Sequence, residues 1–246
     1  IDYKPIEDKV SIKKLSESFG ESGRLDSEYY LPKYDEVIKH VKKIKHDTIG
    51  SITDIKKSIE PGSEAYQDEG IPFIRVSNLT KFEINKPDIH LSEKLFSDEE
   101  LESLKPKKDT ILLSKDGTVG IAHNIKEDSV FITSSAILHL SIKASKINEV
   151  LPEYLTLVLN SLVVQMQSER DAGGSIIKHW KPSEIKEVLI PIIDILIQTQ
   201  IEDKIKESFN LKAKAKQLLE MAKKAVEIAI EKNEEEALYY LADKEK

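Results

Sequence analysis

Hydrophobic positions along this chain follow three different rhythms in succession. In "DSEYYLPKYDEVIKHVKKI" (26–44), Tyr30, Tyr34, Val37, Ile38, Val41 and Ile44 recur at helical spacing. Pro32 suits a first turn, so a helix is predicted over Lys33–Lys45. From Thr48 to about Leu140 the rhythm shortens. The β-branched runs "IPFIRV" (71–76), "TILLS" (110–114), "GIAHNI" (120–125) and "AILHLSI" (136–142) alternate with turn clusters, of which "EPGSEAYQDEG" (60–70) and "SKDGTVG" (114–120) are the clearest. A single helix is predicted over 151–170, opened by Pro152 and closed before Gly173-Gly174. "EVLIPI" (187–192) reads as an apolar strand, and Pro191 puts it at an edge.

The third rhythm runs from Ile195 to Lys232, where Gly and Pro are absent and strong helix formers dominate. Leu211, Leu218 and Ala225 stand seven apart, as do Ser208, Ala215, Ala222 and Ala229. Together they make an a/d seam with alanine on one side, widened by Leu219 and Val226. Such a helix reaches about 55 Å at ~1.5 Å per residue, too long for a domain of this size to cover. A partner helix is therefore expected along Leu211, Ala215, Leu218, Ala222, Ala225 and Ala229; the alternative is a helix folded back on its own domain.

With 39% apolar and 33% charged residues in 246, the chain fits one folded domain plus an extended element. Cysteine is absent, which excludes disulfides and thiolate zinc sites and agrees with a reducing cytoplasm, the expected location. No run of about 18 apolar residues occurs, so no membrane span is expected. "IDYKPIEDK" has no apolar signal core, and a start at Ile1 instead of Met suggests a fragment or a trimmed chain. A net charge of −7 weighs against nucleic-acid binding, which rests on Lys and Arg meeting phosphates. Much of the acid, however, sits in "SDEELES" (97–103) and "EKNEEE" (231–236), both read as solvated surface at element ends.

Catalytic signatures are missing. No phosphate-binding Gly-x-x-x-x-Gly-Lys-Ser/Thr loop, Gly-x-Gly-x-x-Gly or Gly-x-Ser-x-Gly elbow is present. Six histidines are scattered without metal-ligand spacing, and His139, within an apolar strand, reads as a hydrogen-bonded core or rim residue and not a ligand. No Asn-Pro-Pro-Tyr-like tetrapeptide of an adenine methyltransferase occurs. Asp171 followed by Glu184-Ile185-Lys186 matches a magnesium-nuclease spacing, but the Glu-x-Lys falls in a capped turn and such spacing arises easily by chance here.

Six blocks occur in order: "PGSEAY", "EGIPFIRVSNL", "KPKKDTILLSKDGTVGIAHNI", "LPEYLTLVLNS", "GGSIIKHWKPSEIKEVLIPI" and "IQTQIEDKI", preceded by "GRLDSEYYLPKY" (23–34). The series resembles the target-recognition domain and following helix of type I restriction–modification DNA specificity subunits, in a single-domain (half-subunit) form, over about 23–235. The family's Pro-Pro-Leu run is replaced by Ile193, Asp194 and Ile195, while Pro191 and Gln198 are kept. The resemblance implies an α+β architecture: an N-terminal segment and helix (1–47), a globular mixed α/β recognition domain (48–194) and a long coiled-coil helix (195–246). It implies a non-catalytic subunit that reads double-stranded DNA and directs adenine-methyltransferase subunits and a restriction/motor subunit to a bipartite target. S-adenosylmethionine, ATP and magnesium would sit on those partners, with no cofactor on this chain. A homodimer, or pairing with a second half-subunit, would complete the split reader.

A reader needs polar loops held on a rigid scaffold, because base edges are recognised by hydrogen bonds at fixed positions. Lys56, Lys57 and Ser58 before the Pro61-Gly62 turn, Arg75 with Ser77 and Asn78, and the hairpin residues Ser114, Lys115, Asp116 and Thr118 are candidates. Gly173, Gly174, Ser175, Lys178 and His179 form another, at a corner where Trp180 is expected to pack underneath. For Arg75 the alternative is a salt bridge at a strand edge, and for the others a solvated loop. Two further functions remain open: the C-terminal recognition region of a single-chain methyltransferase–endonuclease, and a coiled-coil adaptor that binds protein only.

Overall fold

The computed structural model describes residues 11–19, 23–174 and 176–244 and divides into two units, Ile1–Gln198 and Thr199–Lys246. In the first unit a 3₁₀ turn, Ser27–Tyr30, leads to α1 (Pro32–Val41), with Pro32 at its first position. The helix stops short of the expected Lys45 because Lys43 and Ile44 bond three residues back, to the carbonyls of His40 and Val41 (both 3.2 Å), a tight exit toward the first strand. There follow β1 (His46–Thr48), α2 (Ile49–Ile52), β2 (Thr53–Lys57), β3 (Tyr66–Gln67), β4 (Ile71–Ile74), β5 (His90–Leu91), α3 (Asp98–Leu104), β6 (Ile111–Ser114), β7 (Ala122–Asn124), β8 (Ile132–Thr133) and β9 (Ile137–Ile142). Three helices and a strand complete the unit: α4 (Pro152–Leu159), α5 (Leu162–Ala172), α6 (Pro182–Glu187) and β10 (Leu189–Pro191).

Two four-stranded sheets form the scaffold. The order β2-β9-β6-β7 is antiparallel throughout, while β3-β5-β4-β8 has a parallel β4–β8 pair. All four residues of β6 and the first four of β9 are buried, which is why both read as continuous apolar runs and not as alternations. One core cluster joins Ile74, Leu79, Leu112, Ile125 and Ile137 across the two sheets; another gathers Ile71, Phe73, Leu91, Leu104 and Ile132. A separate two-stranded ladder pairs β1 with β10, His46 opposite Pro191 and Thr48 opposite Leu189. The acidic stretch at 97–103 is the start of α3: Ser97 and Glu100 cap it reciprocally, and its carboxylates suit the positive end of the helix.

The stretch expected as one helix over 151–170 is two, broken at Asn160 and Ser161. Asn160 turns its amide onto the edge of β7, accepting from the Ala122 N–H (3.1 Å) and donating to the Ala122 carbonyl (2.8 Å), as a neighbouring strand would. His139 lies inside the sheet, its Nε2 2.8 Å from the Thr133 hydroxyl. Burial, and secondarily Lys56 opposite it on β2, pull its pKa down to about 4, so it is neutral at neutral pH.

The second unit consists of α7 (Ile195–Glu231), beyond its first turn, and α8 (Glu234–Lys244). Asn233 opens α8, its side chain accepting from the Glu236 N–H (2.9 Å). The Lys224 ammonium is stabilised mainly by Glu227. Met221, Ala225 and Ala237 are buried. Leu211, Ala215, Leu218 and Ala222 stay exposed and Ala229 half-exposed. Ala225 is thus a correction to the expected seam, because it is already buried within the chain.

Among the described residues no helix is long and apolar enough to cross a membrane.

Candidate nucleic-acid interface

Two polar stretches far apart in sequence meet on one rim of the first unit. The β6–β7 hairpin carries Lys115, Asp116, Gly117 and Thr118; the corner between α5 and α6 carries residues 173–180. Main-chain bonds join them, from the Gly117 N–H to the Lys178 carbonyl (2.9 Å) and from the Trp180 N–H to the Lys115 carbonyl (2.7 Å). Gly117 holds the left-handed conformation (φ 69°) that the turn requires. Asp116 meets both neighbours, one carboxylate oxygen at Nδ1 of His179 and the other at the Lys115 ammonium.

The other side of the corner is held by Arg24. Its guanidinium donates to the carbonyls of Asp171 (2.7 Å) and Gly173 (3.1 Å), grips Asp26 through two bonds (2.8 and 2.7 Å) and lies 4.7 Å from the centre of the Tyr29 ring. Gly174 adopts φ 84°, and a Cβ there would stand 3.2 Å from Nη2 of Arg24, so the guanidinium fills the space a side chain would take. Asp171 is buried, and desolvation raises its pKa above the ordinary carboxylate range against the pull of Arg170 (2.9 Å). Trp180 is wholly buried beneath the corner, its indole beside the Asp171 carboxylate.

The candidate residues separate into outward and inward groups. Gly117, Thr118, Lys178 and His179 are exposed on the rim, and Asp116 partly so. Gly173 is half-buried, with its carbonyl given to Arg24; Ser175 lies outside the described residues. Ser114 and Asn78 turn inward, a correction to their reading as contacts. The Ser114 hydroxyl accepts from the Ile121 N–H (2.9 Å), and Oδ1 of Asn78 from the Arg75 N–H (2.9 Å), so both close local turns. Lys115 is buried with its ammonium on Asp116. Arg75 reaches Asp88 (3.0 Å), the strand-edge salt bridge weighed against base reading, and Ser77 beside it is exposed. Lys56 and Lys57 are exposed on β2, where Lys56 reaches the Ser103 carbonyl, and Ser58 donates to the Thr133 carbonyl (2.5 Å). Lys56 and Lys57 sit on the sheet, with Ser58 just past the strand's end.

Of the nuclease-like residues, Asp171 is buried with Arg170 and feels the Glu184 carboxylate. Glu184 lies on α6, not a strand, and caps the Lys181 N–H (3.1 Å). Among the described residues no group of three His, Cys, Asp or Glu side chains could hold a metal ion. Sequence reasoning missed Arg24; the one signal available was an arginine flanked by Gly23 and Asp26 in an otherwise polar lead-in.

Two four-stranded sheets, the helices that accompany them and a long helix after them carry a rim of polar loops. The family model described as "Type I restriction modification DNA specificity domain" matches residues 41–221, and this chain belongs to that family. Among solved structures it is similar to the type I restriction–modification S subunit of M. genitalium, at 17% identity and TM-score 0.52, covering 76% of this chain and 44% of that one. It is also similar to a chain from a study of type I R-M complex assembly and conformational transition, at 15% identity and TM-score 0.50 over 81% and 51% of the two chains. The type IIG restriction endonuclease BpuSI matches at 12% identity and TM-score 0.54, over 74% of this chain and 28% of that one. At these identities the likeness concerns the fold. The chain spans about half or less of the length of these solved chains. No curated protein matches it.

Proposed function

We propose that this chain is a non-catalytic specificity subunit that reads double-stranded DNA and directs adenine-methyltransferase and restriction subunits to a bipartite target. The meeting of the two loops at Asp116 and His179 carries this reading. It gives one rim two main-chain segments in fixed register, with Thr118, Lys178 and His179 outward, as base-edge and phosphate contacts need. Acidic net charge lowers the chain's own affinity, so methyltransferase partners, carrying S-adenosylmethionine, would supply much of the phosphate contact. A single recognition unit implies pairing along the exposed seam, either with a second copy or with another half-subunit. A two-fold pair would read a palindromic split site.

The test is adenine-methylation mapping in cells with and without the gene. Loss of one split motif on deletion is expected; an unchanged map overturns the reading. The likeness to the type IIG endonuclease favours a second reading, the recognition region of a longer methyltransferase–endonuclease. Methyltransferase motifs encoded in frame ahead of Ile1 would establish it.

A further inference from the structure

Ile176 is fully exposed (105%) and Ile177 nearly so (74%), side by side at the tip of the corner. The tip has two fastened feet. On one side Arg24 holds the Gly173 carbonyl; on the other, Lys178, His179 and Trp180 are bonded to the 115–117 hairpin. Between those clamps two β-branched side chains, stiff about their first torsion, point into water. Around them stand Lys178, the His179 imidazole (side chain 56% exposed) beside Asp116, Lys181 (66% exposed) beside Glu184, and Thr118 on the facing hairpin.

The surrounding charge identifies the occupant. An apolar tip flanked by Lys178 and Lys181 matches a duplex, whose phosphates lie outside and whose thymine methyls and base faces lie within the grooves. A stable protein interface needs roughly 800 Å² per partner, far more than two isoleucines offer. We propose that Ile176 and Ile177 form an apolar finger that enters a groove of the DNA and touches bases, either at a thymine methyl or at the face of an opened base step. The proposal rests on the DNA-reading function above.

The experiment uses the full chain assembled with its methyltransferase partner, the duplex recovered by methylation mapping and a scrambled duplex of equal length. The parent assembly is measured first: without preference for the mapped duplex, the DNA-reading function and the finger both fall. Given that preference, Ile176→Ser/Ile177→Ser is expected to weaken binding to the mapped duplex about tenfold or more, the scale of a lost base contact, and to leave the scrambled duplex unchanged. Emission from Trp180, the chain's single tryptophan, confirms that the corner is still folded, and Ile176→Ala serves if the double variant is not. Two arms separate the sources. Replacing thymine by uracil reproduces the loss in the parent if methyls are read; 2-aminopurine at the site brightens on parent binding if a step is opened. Undiminished affinity in the variant overturns the proposal, as does an equal loss on both duplexes. So does intact DNA binding with lost methyltransferase assembly, which would make the tip a protein contact.

Discussion

Gln198 ties the first turn of α7 to the recognition unit, and its replacement tests how much that tie contributes. The side chain is completely buried. Its Nε2 donates to the carbonyls of Glu149 and Ile193 (both 2.8 Å), and its Oε1 accepts from the Leu151 N–H (3.0 Å). Gln198→Ala removes all three bonds and leaves three main-chain groups without partners. At about 1 kcal/mol net per bond the loss is roughly 3 kcal/mol, before any cavity cost. Gln198→Glu is more informative. It puts an oxygen against two carbonyl oxygens, so only a protonated carboxyl can restore a bond. Its pKa would therefore lie higher folded than unfolded, and its stability is present at low pH and lost as pH rises. Urea unfolding read by Trp180, buried in the same unit, measures both variants. An Ala variant within about 1 kcal/mol of the parent would refute the bond count. So would a Glu variant steadier at pH 8 than at pH 5, each relative to the parent.

Asn160→Ala should cost about 2–3 kcal/mol from lost amide bonds to Ala122 and Thr156, with faster hydrogen exchange at the Ala122 amide; unchanged exchange there contradicts the strand-like pairing. His139, held near pKa 4 in the fold against an ordinary value of 6.5, stays neutral while the unfolded chain takes a proton. Its stability contribution is full above pH 6.5 and falls by about 3 kcal/mol as pH drops through 4. Unfolding curves between pH 4.5 and 7 should show that slope flattened in His139→Gln. For the second unit, Ala222→Glu should abolish self-association in light scattering while helix content by circular dichroism is kept; a persisting dimer would place the contact elsewhere.

The strands at 71–74, 111–114 and 137–142 were legible because β-branched residues crowd them, and the long helix because nothing in it breaks helical propensity. The break at Asn160 was not, since an asparagine inside an apolar helical pattern shows nothing of a bond to Ala122, 38 positions away. Both halves of the candidate rim were visible separately. Their meeting was invisible, because it depends on Asp116 and His179, 63 positions apart, and on main-chain bonds that carry no sequence signature. Ser114 and Asn78 misled for a related reason. A polar residue at a strand end looks alike whether it faces solvent or closes its own turn. Ala225 fits the heptad as well as its neighbours do, and the pattern could not reveal that it is buried within the chain.

The antiparallel clasp of β1 and β10 means that the chain arrives at residue 46 and departs at residue 191 on adjacent strands. Everything between is tethered at two neighbouring points, like a cassette in a holder. A foreign segment of quite different length and sequence can replace it if its ends form the same short ladder and it offers the main-chain groups that Arg24 and Gln198 grip. Recombination at those two points would exchange a whole reading surface in one event, leaving the long helix and whatever it pairs with unaltered.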